Sequence, residues 1–268
     1  MNSTIILKGN ILYTPRPSEF VAIQQGYVIA VDGVVVHCGE SIPPAYGEHP
    51  ITDYGDHLII PGFVDTHAHA PQYCNRGLGM DKELLPWLET YTFPEEAKFS
   101  DQEYARLVYG AFVHDLWRNG TTRSILFGTI HKDRTLVLME LLQKAGLSAY
   151  VGKVNMDRNS PEFLIKDTHQ SLADTKEWLE ASAQFGPLVK PIITPRFVPS
   201  CTSELMSGLG NLAEAYNVPV QSHLSENHGE IDWVTALHPE AANYTDVYYE
   251  HHLMGKVPTV MAHCIHLS

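Results

Sequence analysis

Leu58-Ile59-Ile60-Pro61-Gly62-Phe63-Val64-Asp65-Thr66-His67-Ala68-His69 is the stretch on which the fold turns. The apolar run Leu58–Val64 reads as a buried strand, and the two histidines that follow stand at i and i+2, which points both rings to one face of a continued strand. In a parallel α/β fold the C-terminal strand ends open onto the usual place of catalysis. Two neutral imidazoles on that face suit a zinc or iron ion. A bare His-x-His is more often a pair of neighbouring surface histidines; the buried strand and the Pro-Gly before it favour the ligand reading here.

Downstream of this stretch the chain repeats strand, loop, helix. Candidate strands are Leu58–Val64, Thr122–Phe127, Ala149–Val154, Val189–Ile193, Val218–His223 and Thr259–His263. Between them a helix is expected from Ser100, capped by a Ser-x-x-Glu box to Glu103, with an apolar face of Tyr104, Leu107, Val108, Ala111 and Phe112 and a stop at Asn119-Gly120. Further helices fit Thr135–Ala145, Ser171–Gln184, Thr202–Ala215 and Glu230–Leu237. Such alternation implies parallel βαβ units, satisfied by a barrel or by a doubly wound sheet. The stretch from Cys74 to Ser100 has few strand features, and a loop of that length usually covers or serves a site.

Upstream, the chain is of a different kind. Short β-rich stretches, Thr4–Leu7, Ile11–Tyr13, Val21–Gln24, Tyr27–Val31 and Val34–His37, are separated by turn signals at Lys8-Gly9-Asn10 and Asp32-Gly33. Asp-Gly between two apolar runs is a strong hairpin signal. Two domains are therefore expected, a small β module over residues 1–57 and an α/β domain over 58–268.

Two more histidines close later strands. His223 ends Val218-Pro219-Val220-Gln221-Ser222-His223, and His263 ends Thr259-Val260-Met261-Ala262-His263. Either one alone would more often be a hydrogen-bonded core histidine. Four histidines at the ends of three strands of one parallel fold converge on a point, and the reading is a metal site. Glu226, three residues past His223, then stands where a carboxylate can take and return a proton of bound water. Its plainer role would be that of an acid at a helix N-terminus.

Composition narrows the class. Among 268 residues, 44% are hydrophobic and 18% charged, which is globular. A formal charge of −13 argues against nucleic acid or an anionic membrane as partner. No apolar run reaches the roughly 20 residues of a membrane span, and residues 1–14 lack the pattern of a secretory signal, so a cytoplasmic protein is expected. The four cysteines, Cys38, Cys74, Cys201 and Cys264, show no disulfide or zinc-knuckle spacing. His238-Pro239-Glu240 imitates the His-x-Glu of cytidine-deaminase-type zinc sites, but no Pro-Cys-x-x-Cys follows.

Pro61-Gly62-Phe63-Val64-Asp65-Thr66-His67-Ala68-His69, with His223 and His263 ending later strands, resembles the amidohydrolase superfamily of metal-dependent hydrolases, and within it the guanine deaminases. The likeness continues through Ala70-Pro71-Gln72-Tyr73, Leu85-Pro86-Trp87-Leu88, Tyr91-Thr92-Phe93-Pro94, Asn119-Gly120-Thr121-Thr122, Val151-Gly152-Lys153-Val154, Thr194-Pro195-Arg196-Phe197 and Gln221-Ser222-His223-Leu224-Ser225-Glu226. It implies a TIM-like (β/α)8 barrel preceded by a partial β-sandwich domain. It also implies zinc-dependent hydrolytic deamination of guanine to xanthine and ammonia, with one zinc per chain and a homodimer. His67, His69, His223 and His263 match the metal-site histidines, with His263 nearest the substrate. Glu226 and His263 match catalytic groups. Substrate contacts fall to His69, Gln72, Arg196, Phe197, His223 and Glu226, with Trp87 a further packing candidate. Without the resemblance, Arg196 would read as a strand-end salt bridge and Trp87 as core.

The family also carries a metal-binding aspartate at the end of the eighth barrel strand. Here the sequence stops at His263-Cys264-Ile265-His266-Leu267-Ser268, directly after the sixth candidate strand. Two further units would need roughly 80 residues at the spacing of a barrel of about 250. A fragment of a longer protein is the expectation. The alternatives are a deaminase of another aminated heterocycle, and an inactive short form that lacks the aspartate.

Overall fold

In the computed structural model, which describes residues 3–267, the chain divides into two compact units with the boundary at Gly62. The first is built on the Asp32-Gly33 turn. Both residues adopt positive φ, 50° and 80°, and Val31 pairs directly with Val34. Strands β1 (Thr4–Arg16), β2 (Glu19–Val31), β3 (Val34–Gly39) and β4 (Ile51–Ile59) form one sheet in the order β3-β2-β1-β4. β4 lies parallel to β1, and the other pairs are antiparallel. Ile6, Ile11 and Ile29 are its buried side chains.

Two expectations change in this unit. Lys8-Gly9-Asn10 is no turn: β1 runs through it, with a register shift between Gly9 and Ile11 that absorbs the irregularity. The described strands of this unit form one four-stranded sheet. The boundary falls at Gly62 and not at 57, because Leu58 and Ile59 pair with Asn10 and Ile11 of β1. Leu58–Val64 is accordingly not one strand. Proline lacks the N–H that a ladder needs, and the break at Pro61-Gly62 separates β4 from β5 (Phe63–His69).

In the second unit the strands run in sequence order and all pair parallel. β5 pairs with β6 (Thr121–Phe127), β6 with β7 (Ser148–Gly152), and β7 with β9 (Val189–Pro191). In a separate two-stranded pair, β8 (Val154–Asn155) lies parallel to β10 (Thr194–Pro195). An isolated bridge from Ile193 to Val220 leads to β11 (Val220–Leu224), which pairs with β12 (Thr259–His263). Gly152 marks the tightest approach: a Cβ there would lie 1.7 Å from Thr194 Oγ1. β5 pairs only with β6 among the described residues, and Phe63 and Val64 are both 59% exposed, so this strand is not the buried one expected.

Helices connect the strands. Two short ones, α1 (Leu84–Trp87) and α2 (Phe93–Ala97), break up the long segment after β5, and α3 (Gln102–Arg118) leads into β6. α4 (Lys132–Ala145), α5 (Thr168–Ser182), α6 (Ser203–Tyr216), α7 (His228–Leu237) and α8 (Tyr244–Glu250) follow. The sequence reading missed α8. It also set α3 one residue early. Asp101, not Ser100, is the N-cap and accepts from the N–H groups of Glu103 and Tyr104, while Ser100 Oγ donates to Ala97 O. The buried face rotates with it: Ala105, Val108, Tyr109, Phe112, Val113 and Leu116 are buried, whereas Leu107 is 72% exposed and Ala111 faces out. These residues join Leu126, Leu138, Val151, Leu205 and Val220 in one core between helices and strands. No described helix is long and apolar enough to cross a membrane.

Candidate active site

The strand ends of the second unit bring four imidazoles together. His67 and His69 leave the same face of β5, and the ring of Phe127 at the end of β6 packs against both. Its ring is stacked on His69 at 4.4 Å and edge-on to His67 at 5.2 Å. His223 in β11 stacks on His69 at 5.0 Å, and their Nε2 atoms are 2.9 Å apart. One ligand atom from each of His67, His69 and His223 lies within 4.8 Å of the others. His263 is outside that group. Its ring is 4.9 Å from that of His67, and its Nε2 is 3.2 Å from Glu226 Oε2.

Burial keeps the trio neutral. It depresses His67 to about 4, helped by the neighbouring His263 and Arg196, and holds His69 and His223 well below the usual histidine value. His223 Nδ1 is 2.5 Å from the carbonyl of Arg196, which can only accept, so the ring proton sits on Nδ1 and the Nε2 lone pair faces the cavity. His69 Nε2 meets that lone pair either as a donor or, with a cation between them, as a second ligand. His69 Nδ1 is buried without a hydrogen-bond partner among the described residues. Three neutral nitrogen donors aimed at one point, with no thiol among them, fit a zinc ion.

Glu226 lies two residues past β11, where Ser225 adopts a positive φ of 52°. Burial pushes its carboxyl up to about 7, the nearby Glu230 adds to this, and Arg196 opposes it. Burial moves His263 the other way. At their 3.2 Å contact, burial thus acts against the charged form of both groups. Glu230 is itself fixed, accepting from Tyr244 Oη at 2.7 Å and from the N–H of Glu226 at 2.9 Å.

At the opposite wall Arg196, directly after β10, is only 3% exposed. Its Nη1 donates to Glu96 Oε2 at 2.6 Å, and the guanidinium lies 5.4 Å from the Phe93 ring centre. Gln72, in the 3-10 turn Ala70–Asn75, donates from Nε2 to Glu96 Oε1 at 3.0 Å. Trp87 Nε1 donates to Leu78 O at 3.0 Å, which holds its ring over the opening. A cavity of about 130 Å³ joins both walls, lined by the four histidines, Glu226, Gln72, Arg196 and Phe197, and roofed by Leu84, Trp87 and Leu88. This is well below the roughly 300–1,000 Å³ of sites for drug-sized ligands and suits a small flat molecule. The Cys74–Ser100 segment thus supplies the roof.

Sequence reasoning missed Glu96, Phe127 and Glu230 as parts of this site. Glu96 falls in the Cys74–Ser100 segment expected as a loop, and nothing in the sequence says that this residue, 5% exposed, turns inward. Phe127 was legible only as the last residue of a strand, and Glu230 only as a helix start.

Residues 58–268 match the model of the Amidohydrolase family. The chain belongs to the amidohydrolase family. Among the amidohydrolase relatives, it is 50% identical over 222 residues to a guanine deaminase of Dictyostelium discoideum, covering 82% of this chain and 49% of that protein. A guanine deaminase of Escherichia coli K12 is 40% identical over 253 residues, covering 92% and 56%. The crystal structure of a guanine deaminase from C. acetobutylicum, with guanine bound in its active site, superposes with a TM-score of 0.96 at 50% identity. That match covers 99% of this chain and 64% of that one. The chain spans about half the length of the curated relatives it matches.

Proposed function

We propose that this amidohydrolase chain hydrolyses guanine to xanthine and ammonia in the cavity between His67 and Arg196. The observation that carries the reading is the polarity of that one small cavity. Three neutral imidazoles share a point at one wall, a carboxyl raised to about 7 stands beside them, and a buried arginine and glutamine face them. The 50% identity to relatives described as guanine deaminases supports it.

His67, His69 and His223 would hold one zinc ion, with His263 as the imidazole nearest the substrate. The ion, when bound, supplies Lewis-acid chemistry and brings the acidity of a coordinated water into the neutral range. The remaining work falls to side chains. Arg196 and Gln72 grip the polar edge of the base, and Phe197 and Trp87 confine its flat faces. Burial raises the Glu226 carboxyl to about 7, so its acid form is accessible to deliver a proton to the ring nitrogen as water adds to the carbon bearing the amino group. The resulting carboxylate takes a proton from the adding water and passes it to the departing amine, which leaves as ammonia, and then takes the remaining hydroxyl proton as the carbonyl forms. Across the cycle one water is consumed and Glu226 returns to its starting state. His263, whose Nε2 is 3.2 Å from Glu226 Oε2, lines the cavity beside that carboxyl.

The fold reading goes with this one. The six parallel strand positions from β5 to β12 are proposed as consecutive units of a TIM-like (β/α)8 barrel, supported by their pairing in sequence order. The first unit is proposed as part of a β-sandwich, and a cytoplasmic homodimer as the working form. Zinc-replete protein incubated with guanine should release xanthine and ammonia in equal amounts. Metal-loaded, folded protein that releases neither sinks the reading.

A further inference from the structure

Glu96 holds both side chains that face the base at the wall opposite the imidazoles. Its Oε1 accepts from Gln72 Nε2 at 3.0 Å and its Oε2 from Arg196 Nη1 at 2.6 Å. Glu96 and Arg196 are 5% and 3% exposed, so water does not compete for these bonds. A carboxylate paired with a guanidinium offers only acceptors, and the Gln72 atom against it has to be the amide nitrogen. Gln72 therefore cannot flip. Its carbonyl oxygen has no side-chain or backbone donor among the described residues and is the end left for the cavity that Gln72 lines. The Arg196 guanidinium makes no other side-chain hydrogen bond among the described residues, and its remaining N–H groups are left for the cavity as donors.

We propose that Glu96 is a positioning residue that sets the hydrogen-bond polarity of the base-reading wall, fixing an acceptor on Gln72 beside donors on Arg196. The inference rests on the guanine-deamination reading and adds to it the source of selectivity. A ring carbonyl next to a ring N–H, as at O6 and N1 of guanine, is the complement of that wall. An amino group next to a bare ring nitrogen, as on 2,6-diaminopurine, is its reverse, although that base keeps the same 2-amino group. With Glu96→Gln the anchoring group can donate as well as accept, and Gln72 is free to turn its amino end to the base.

The test uses metal-replete protein, guanine and 2,6-diaminopurine, each followed by turnover and by calorimetric binding. Glu96→Gln should weaken guanine by on the order of 10–100-fold, mainly in KM, because a buried donor then faces a donor. Binding of 2,6-diaminopurine should stay level or tighten, so the preference between the bases contracts at least tenfold. Glu96→Asp, which still only accepts, should keep the preference even where rates fall. Equal losses on both bases, or the same contraction with aspartate, would mean a structural role and overturn the proposal. Should Glu96→Gln fail to fold, Gln72→Met removes the oriented amide itself, and an unchanged preference in that variant is equally fatal. Wild-type protein that binds guanine over 2,6-diaminopurine but releases no ammonia would refute the deamination reading, while the binding preference and its response to Glu96→Gln still decide this one.

Discussion

Lys153 is fully buried behind the strand ends, and its titration should be visible in the stability of the whole unit. Its ammonium donates to Asn155 Oδ1 at 2.7 Å and to Thr175 Oγ1 at 3.2 Å, without a carboxylate in contact. Burial lowers its pKa from 10.5 to about 7, with Lys166 adding to the shift and Asp174 opposing it. The unfolded chain then binds a proton more tightly than the folded one, so stability rises with pH between the two values. A shift of about 3.5 units at 1.36 kcal/mol per unit puts the penalty at about 5 kcal/mol, fully developed below pH 7. Integrating from pH 7 to 9, about 2 kcal/mol of this is relieved. Above pH 9 the buried Cys201 thiol, pushed up to about 12, works in the opposite direction, so the window ends there. Lys153→Met removes the titrating group and leaves Asn155 Oδ1 bonded to Ser171 and Thr175. Urea unfolding of both proteins at pH 7, 8 and 9 gives the difference, in which all other groups cancel. The variant should be the more stable at pH 7, with its lead shrinking by about 2 kcal/mol by pH 9. A difference independent of pH would mean that Lys153 keeps an ordinary pKa in the folded protein.

Four further outcomes are expected. Glu226→Gln should keep guanine binding and lose about 10²–10⁴-fold in turnover, and a near-normal rate in a xanthine assay would remove Glu226 from the proton path. Arg196→Lys keeps the charge but not the planar fork, so kcat/KM for guanine should fall about tenfold or more, with poorer rejection of adenine; unchanged kinetics would make Arg196 purely structural. His69→Ala should lose bound zinc in elemental analysis of dialysed protein, and full metal content would exclude His69 as a ligand. Asp101→Ala removes the α3 cap that serves two N–H groups and should cost about 1 kcal/mol in thermal unfolding, with no change in metal content.

Local chemistry made much of this chain readable before any coordinates. The Asp32-Gly33 hairpin, the stop of α3 at Asn119-Gly120 and the alternation of apolar runs with helical periods depend on neighbours in sequence, and they stand in the structure near where they were expected. The His-x-His of β5 was visible for the same reason, since a strand's period of two needs no partner to define a face. What pairs with what was not readable. Leu58 and Ile59 look like the start of the strand that carries the histidines, yet they pair with β1, because an apolar run does not say which neighbour will bury it. The inward turn of Ala105 and Tyr109 in place of Leu107 and Ala111 was set by how α3 docks, since both faces carry enough apolar residues to compete. Glu96 is the clearest case: only the approach of three segments, Gln72 after β5, Glu96 in α2 and Arg196 after β10, makes an acidic loop residue into a buried anchor. From its own residues and its family likeness the sequence named the groups able to do chemistry. Tertiary structure alone decided their mutual distances, and with them the depressed imidazoles, the raised Glu226 and the orientation of Gln72, because these are set by desolvation and by partners far away along the chain.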